Sequence, residues 1–409
     1  MTILSSLRHR PFALLWSGQT ISRLGDSLYS VALAWWVLQA TGSAAAMGTV
    51  LIFSFAPMLI FLLIGGVAVD RLPRLRVMFV SDVASGVVVL LVAALAAAQR
   101  LEIWHVYVAS MAFGLLQAFF FPAFNAVVPD LTPPETLPSA NSLTSLSQQL
   151  SGIVGPAVGA GMVAAFGTPA AFLVNGLSFF VAAACVLPLL RQAEPPRAAA
   201  KHSNVWKDLR DGIGLVTHEP WLWITITFFA FTNITISGPR AVALPFLVSG
   251  TLHASVGTLG FLYSAGSAGA VLGALWLGGR KRLRRRGLLA YGSTVVSGLA
   301  ILTIGLAPLV RSSAGWIVAA AGMFIIGLCA AVFGLVWTNT LQEMVPRASL
   351  GRVTSIDALG SFVLLPLGFG LAGWATDRLG PPWVFILSGA ITTVLALAAC
   401  LHPAIRNLD

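Results

Sequence analysis

Charged side chains are rare in this sequence, and those that interrupt its apolar runs are the residues with chemistry to offer. Asp26 is the first acid in the chain, and Arg23 stands three residues before it, on the same face of a helix. Tyr29 and Trp36 continue that face. Further along, Arg240 shares a helical face with Asn233 and Ser237, and Asp357 stands two turns into a later apolar run. An ionised group held in a bilayer costs about 3 kcal/mol, so each is a functional candidate by default. The chemistry on offer is a carboxylate that carries a proton for part of a cycle, or a fixed charge that receives the opposite charge of a ligand. For Asp26 the alternative is a permanent ion pair with Arg23 or Arg240 that holds the fold.

Other chemistry is absent. A phosphate cradle needs Gly-Lys followed by Ser or Thr, but Lys201, Lys207 and Lys281 follow Ala, Trp and Arg. The six histidines are scattered, with neither His-x-x-Glu-His nor Cys/His pairing. Cys185, Cys329 and Cys400 all lie in apolar runs and read as packing residues. No nucleotide motor, metal centre or cofactor is expected, and the chain does not read as an enzyme. A membrane-embedded lipid-modifying enzyme would need a cluster of His and Asp at one membrane face, which the sequence lacks.

The elements that position these residues follow from composition. Of 409 residues, 57% are apolar and 9% charged, against about 25% charged in soluble domains. Uncharged stretches run from Ser27 to Val69, Thr136 to Leu190 and Ser312 to Gln342, each longer than the ~20 residues that cross a bilayer. The fold class is therefore all-α, a polytopic membrane protein. Breaking the runs at charges and Gly/Pro turns predicts twelve spans near 12–39, 44–69, 75–98, 103–128, 137–166, 169–190, 220–249, 254–279, 286–309, 313–342, 350–377 and 380–403. Lys and Arg crowd alternate loops, among them Arg8, Arg71, Arg191, Lys201 and Arg280, while the opposite loops carry only Arg100, Arg311 and Arg378. Positive loops stay inside, so both termini are expected in the cytoplasm and the protein in the inner membrane.

The polar segment 191–219 divides the chain into six-span halves, 1–190 and 220–409. Apolar residues at helical spacing around Trp206, Leu209 and Ile213 leave two readings of it: a short amphipathic helix on the membrane surface, or a plain linker. A faint repeat joins the halves, since Gly66-x-x-x-Asp70-Arg71-Leu72 matches Gly373-x-x-x-Asp377-Arg378-Leu379, on opposite membrane faces as inverted repeats would be.

Several motifs resemble a known family. They include Ile21-Ser22-Arg23-Leu24-Gly25-Asp26 in span one, Gly66-x-x-x-Asp70-Arg71-x-x-Arg74-x-Arg76 after span two, and Pro122-Ala123-x-x-Ala126-x-x-Pro129 at the end of span four. Two more are Gly152-x-x-Gly155-Pro156-x-x-Gly159-x-Gly161 in span five and Gln342-x-x-x-Pro346 leading to Gly351-Arg352-Val353. Together they resemble the major facilitator superfamily, in its drug-efflux branch with macrolide-efflux and enterobactin-exporter proteins, over essentially the whole chain. Pro73 stands where the first-loop motif usually has glycine, and span four lacks the arginine of the best-known proton–drug antiporters.

The resemblance implies two six-helix bundles that export amphipathic organic compounds by alternating access, with protons as the coupling ion, acting as a monomer. A dedicated exporter of one metabolite, such as a siderophore or lysophospholipid, is the alternative. It implies a cytoplasmic gate of Gly66, Asp70, Arg71, Arg74 and Asp130, in which Asp70 accepts from the amides near Ser349 to Gly351 and Arg74 pairs with Asp130. It makes Gly155, Pro156 and Gly159 a bent, tightly packed segment at a bundle interface. Spans one, four, seven and ten would line a central cavity, with Tyr29, Trp36, Gln117, Phe121, Phe124, Asn233, Phe333 and Trp337 within reach of substrate. Proton coupling would then rest on Asp26 with Arg23 or Arg240, and Asp357 nearby. The basic run Gly278 to Arg286 has no acid of its own and is expected to anchor to anionic lipid.

Overall fold

The structure is a computed structural model and describes residues 4–191, 205–278, 285–310, 314–406 and 408. Residues 192–204 of the expected central loop, and residues 279–284 of the basic run, lie outside the described residues. Every regular element among those described is helical, as a lipid-embedded chain requires when each backbone N–H must find its acceptor within its own segment.

In the first half lie α1 (Arg10–Thr41), α2 (Ala44–Arg71), α3 (Arg74–Ala97), α4 (Ile103–Asp130), α5 (Leu137–Phe166) and α6 (Thr168–Val186). The second half holds α7 (Val205–His218), α8 (Pro220–Gly238), the short α9 (Leu244–Phe246), α10 (Val256–Gly278), α11 (Arg286–Leu306) and α12 (Gly315–Met344). It ends with α13 (Arg347–Phe362), α14 (Leu365–Leu379), α15 (Pro381–Leu401) and the short α16 (Pro403–Arg406).

Among the described residues, eleven helices are long and apolar enough to cross a bilayer. Of the twelve expected, α1 is the one not among them. It has 32 residues, but Gln19, Thr20, Ser22, Arg23, Asp26, Ser27 and Ser30 dilute its apolar character. Two other expected spans are interrupted. The span expected at 350–377 breaks between α13 and α14, where Pro366 at the start of α14 cannot donate to the carbonyl one turn earlier. The span expected at 220–249 widens into π-helical turns at Pro239–Ala243 and Leu247–Thr251, on either side of α9. Pro239 and Pro245 remove backbone donors there, which is a usual cause of such a widening.

The chain forms two compact units, Met1–Gly42 with Thr49–Ala200, and Ser43–Gly48 with Lys201–Asp409. The first turn of α2 is thus grouped with the second unit. Within the first unit α1 packs on α5 and α6, and α3 on α4 and α6. Within the second, α10 packs on α12, α11 on α12 and α15, and α8 on α14. Small residues allow the closest approaches: a Cβ on Gly114 of α4 would meet the Ser54 carbonyl of α2, and one on Gly327 of α12 would meet the Gly266 carbonyl of α10. In the 191–219 segment α7 packs on α13 and buries Val216 in the core of the second unit, while Ile213 stays exposed.

Candidate functional site

Within the first unit, α1, α3, α4, α5 and α6 line a cavity of about 160 Å³. Its charged lining is Arg23, Asp26 and Asp82; its polar lining includes Gln19, Ser22, Ser85, Gln117 and Gln148; and Phe120, Phe121, Phe124 and Phe179 supply rings. Local packing puts these groups there. A Cβ on Gly25 would sit 2.3 Å from Ser178 Oγ, so α1 and α6 approach closely and Asn175 of α6 reaches Asp26, its Nδ2 donating to Oδ1 at 3.4 Å. Gln19 Nε2, two turns before Asp26, donates to Asp82 Oδ2 at 2.9 Å.

Arg23 and Asp26 share a helix face yet form no ion pair, so the permanent Arg23–Asp26 pair named as one alternative for Asp26 is not formed here. Instead Arg23 Nη1 donates to the Thr144 carbonyl at 3.3 Å, and the guanidinium lies over the Phe124 ring, 4.7 Å from its centroid. Its charge is turned toward α4 and α5.

Of the residues named from sequence, Arg23, Asp26, Gln117, Phe121 and Phe124 meet at this cavity. Tyr29 is not among its lining residues and packs on Phe172, ring centroids 5.2 Å apart. Trp36 is half-buried one turn beyond the buried Ala32 and does not line it either.

The second-unit residues make their own contacts. Asn233 donates to the Ser361 carbonyl at 2.9 Å. Phe333 is buried in an aromatic cluster with Phe229, Tyr291 and Trp337. Trp337 Nε1 donates to Asp357 Oδ2 at 2.9 Å, and Ser361 Oγ reaches Oδ1 of the same carboxylate at 3.4 Å. Asp357 therefore has neutral donors and ties α12 to α13. Arg240 lies in the first π-helical turn, where its carbonyl accepts from Tyr263 at 3.2 Å and its side chain forms no ion pair with a described residue.

At the start of α3, Arg74 Nη1 is 2.7 Å from Asp130 Oδ2; toward the end of α2, Gly66 faces open space and Arg71 is exposed. The side chain of Asp70 lies outside the described residues. In α5, a Cβ on Gly155 would meet Ser27 and one on Gly159 would meet the Leu28 backbone, while Pro156 is buried. The nearest neighbour of this motif is thus α1 of the same unit. The basic run does have an acid near it, because Arg286 pairs with Glu343 at the end of α12. Among the described residues no group of His, Cys, Asp and Glu gathers to hold a metal.

Asp82 is not among the site residues named from the sequence. It is 2% exposed and faces the cavity. A signal was present in the polar trio Ser81, Asp82 and Ser85 inside an apolar helix, matched on α1 by Gln19, Ser22 and Asp26 at helical spacing.

The family model described as Major Facilitator Superfamily matches residues 15–307 and 233–406. The chain belongs to the major facilitator superfamily. It is a multi-pass membrane protein with the all-α fold of that family. Among curated relatives it is 26% identical to "Macrolide efflux protein A" of Streptococcus pyogenes, over 97% of each chain. It is 27% identical to "Multidrug efflux pump Tap" of Mycolicibacterium fortuitum over 99% of each, and 26% identical to "Enterobactin exporter EntS" of Shigella boydii over 88% of this chain and 86% of that one. A solved bacterial homologue of the iron transporter ferroportin, in an inward-facing state, superposes with a TM-score of 0.69 at 14% identity, covering 96% of this chain and 99% of that one.

Proposed function

We propose that this chain is a secondary active exporter of amphipathic organic compounds, of multidrug type, working by alternating access in the inner membrane with both termini cytoplasmic and with protons as the coupling ion. The observation that carries the reading is the first-unit cavity, where carboxylates, an arginine and four phenylalanine rings meet. Rings and dispersion suit bulky apolar bodies, and the few polar groups suit one charged or polar handle. A sugar or amino-acid carrier would need a denser set of hydrogen-bonding groups. Relatives named for macrolide and multidrug efflux favour the same reading. Asp26 is the assigned coupling group: it faces the cavity, its hydrogen-bond donor is a neutral amide, and Arg23 is near enough to sense its charge. The chain acts as a transporter, without catalysis, and as a monomer.

The test is a drug-susceptibility panel in an efflux-deficient host, with and without an uncoupler. Raised tolerance to macrolide-like or dye-like compounds, lost with the uncoupler, supports the reading. Unchanged tolerance across the panel from a protein that reaches the membrane overturns it.

A further inference from the structure

Arg240 of the second unit carries a charge that no described acid answers. It stands in the first π-helical turn, eleven residues before Thr251, so roughly 16 Å of helix separates it from the nearer end of its span. That is too deep for its side chain to snorkel to a lipid headgroup. Pro239, Val242 and Ala243 of the same turn are buried where it packs on α14 and α15, while Arg240 stays half-buried beside them. Among the surrounding elements α8, α10 and α15 hold no charged residue, and α14 holds Asp377 and Arg378 in its last turn. A Cβ on Gly238 would meet the Gly368 carbonyl and Ala372, so the turn sits beside the middle of α14. Asp377 has moreover committed both its oxygens to Ser43, Ala44 and Ala45. A carboxylate in this position could shed its charge by taking up a proton, but a guanidinium cannot lose its own. What such a group needs is an anion.

We propose that Arg240 is an anion-binding site of the second unit, which receives the carboxylate or sulfonate group of an amphipathic organic anion. The proposal rests on the exporter reading above and adds a substrate class to it, compounds whose polar handle is an acid. A guanidinium presents a planar fork of N–H donors that meets two oxygens of such a group at once. The fold also holds the fork's base in place. The N–H that would close the next π-helical bond, onto the Arg240 carbonyl, belongs to residue 245, which is proline and has none. Tyr263 of α10 supplies the missing donor, its hydroxyl reaching that carbonyl at 3.2 Å. Ser237, one turn before Arg240, adds a neutral hydroxyl beside the charge.

Anilinonaphthalene sulfonate and phenylnaphthylamine share one aromatic body and differ in the sulfonate, and both fluoresce on entering an apolar site. Fluorescence titration of the purified full-length protein, corrected against protein-free micelles and run in physiological salt to screen surface charge, compares their affinities. Wild type should bind the sulfonate at least about tenfold more tightly than the amine. Arg240→Gln should bring the ratio of the two affinities down by about tenfold, and Arg240→Lys should lower it less, since an ammonium keeps the charge without the fork. Equal wild-type affinity for the two probes overturns the proposal, as does a ratio unchanged in a folded Arg240→Gln protein. So does a preference that Arg23→Gln abolishes and Arg240→Gln leaves intact, which would put the anion in the first-unit cavity. Should Arg240→Gln fail to fold, the wild-type pair and Arg240→Lys decide it, a ratio the same in the lysine variant as in wild type counting against the site. Uncoupler-sensitive export of the neutral amine by a protein with no preference for the sulfonate would sink this proposal and leave the exporter reading standing.

Discussion

Arg74 and Asp130 pair at 2.7 Å, each placed where its own helix disfavours it. Arg74 opens α3, at the end where the helix dipole is positive, and Asp130 closes α4, where it is negative. Neither charge is suited to its site alone, and each supplies what the other's helix end lacks. Arg286 at the start of α11 and Glu343 near the end of α12 repeat the arrangement in the second unit.

Removing one partner should therefore cost more than removing both. In a double-mutant cycle of Arg74→Ala and Asp130→Ala, followed by thermal unfolding in detergent, the coupling should be about 0.5–1 kcal/mol, as the pair is partly exposed at 23% and 28%. Glu343 is 60% exposed, so the Arg286 cycle should give a smaller value that fades with added salt. Strict additivity in the Arg74 cycle would remove the argument.

Asp377 closes α14 and caps the start of α2. Its carboxylate accepts from the Ala44 amide at 2.7 Å, the Ala45 amide at 3.0 Å and Ser43 Oγ at 2.8 Å. An acid at a helix N-terminus satisfies amides that the helix leaves open and suits the dipole. Asp377→Ala should cost about 1–2 kcal/mol, and hydrogen exchange at Ala44 and Ala45 should speed up while the middle of α2 is unchanged. Exchange at the mutant's first turn as slow as in wild type would show that the cap is not what protects it.

The α5 motif separates tight from loose glycines. A Cβ on Gly159 would stand 2.7 Å from Leu28 Cα, whereas one on Gly161 meets nothing within 4 Å. Gly159→Ala should destabilise by about 1–3 kcal/mol because backbone must move, and Gly161→Ala should be neutral or slightly stabilising. Similar unfolding temperatures for the two variants would contradict the packing described.

Spans and their order were legible because apolar runs, charge breaks and Gly/Pro turns are local signals. Asp26, Gln117, Phe121 and Phe124 could be placed on a common site because the family resemblance implies that spans one and four line one cavity. What the sequence hid depends on rotation and on neighbours. The packing of α3 on α6 turns Asp82 inward, and Thr144 and Phe124 draw Arg23 away from Asp26. Phe333 and Trp337 had the composition of a binding wall, yet they pack against Phe229, Tyr291 and Trp221. Glu343 was passed over because its arginine partner lies far away in sequence, across the α11–α12 hairpin.

The central claim is that Asp26 couples proton flow to export, and everted membrane vesicles test it most directly. With a proton gradient imposed, wild-type vesicles should accumulate a fluorescent lipophilic dye and lose it on addition of an uncoupler. Asp26→Asn should still bind the dye but accumulate none above its equilibrium level. Uphill accumulation by Asp26→Asn that remains sensitive to uncoupler would contradict the account.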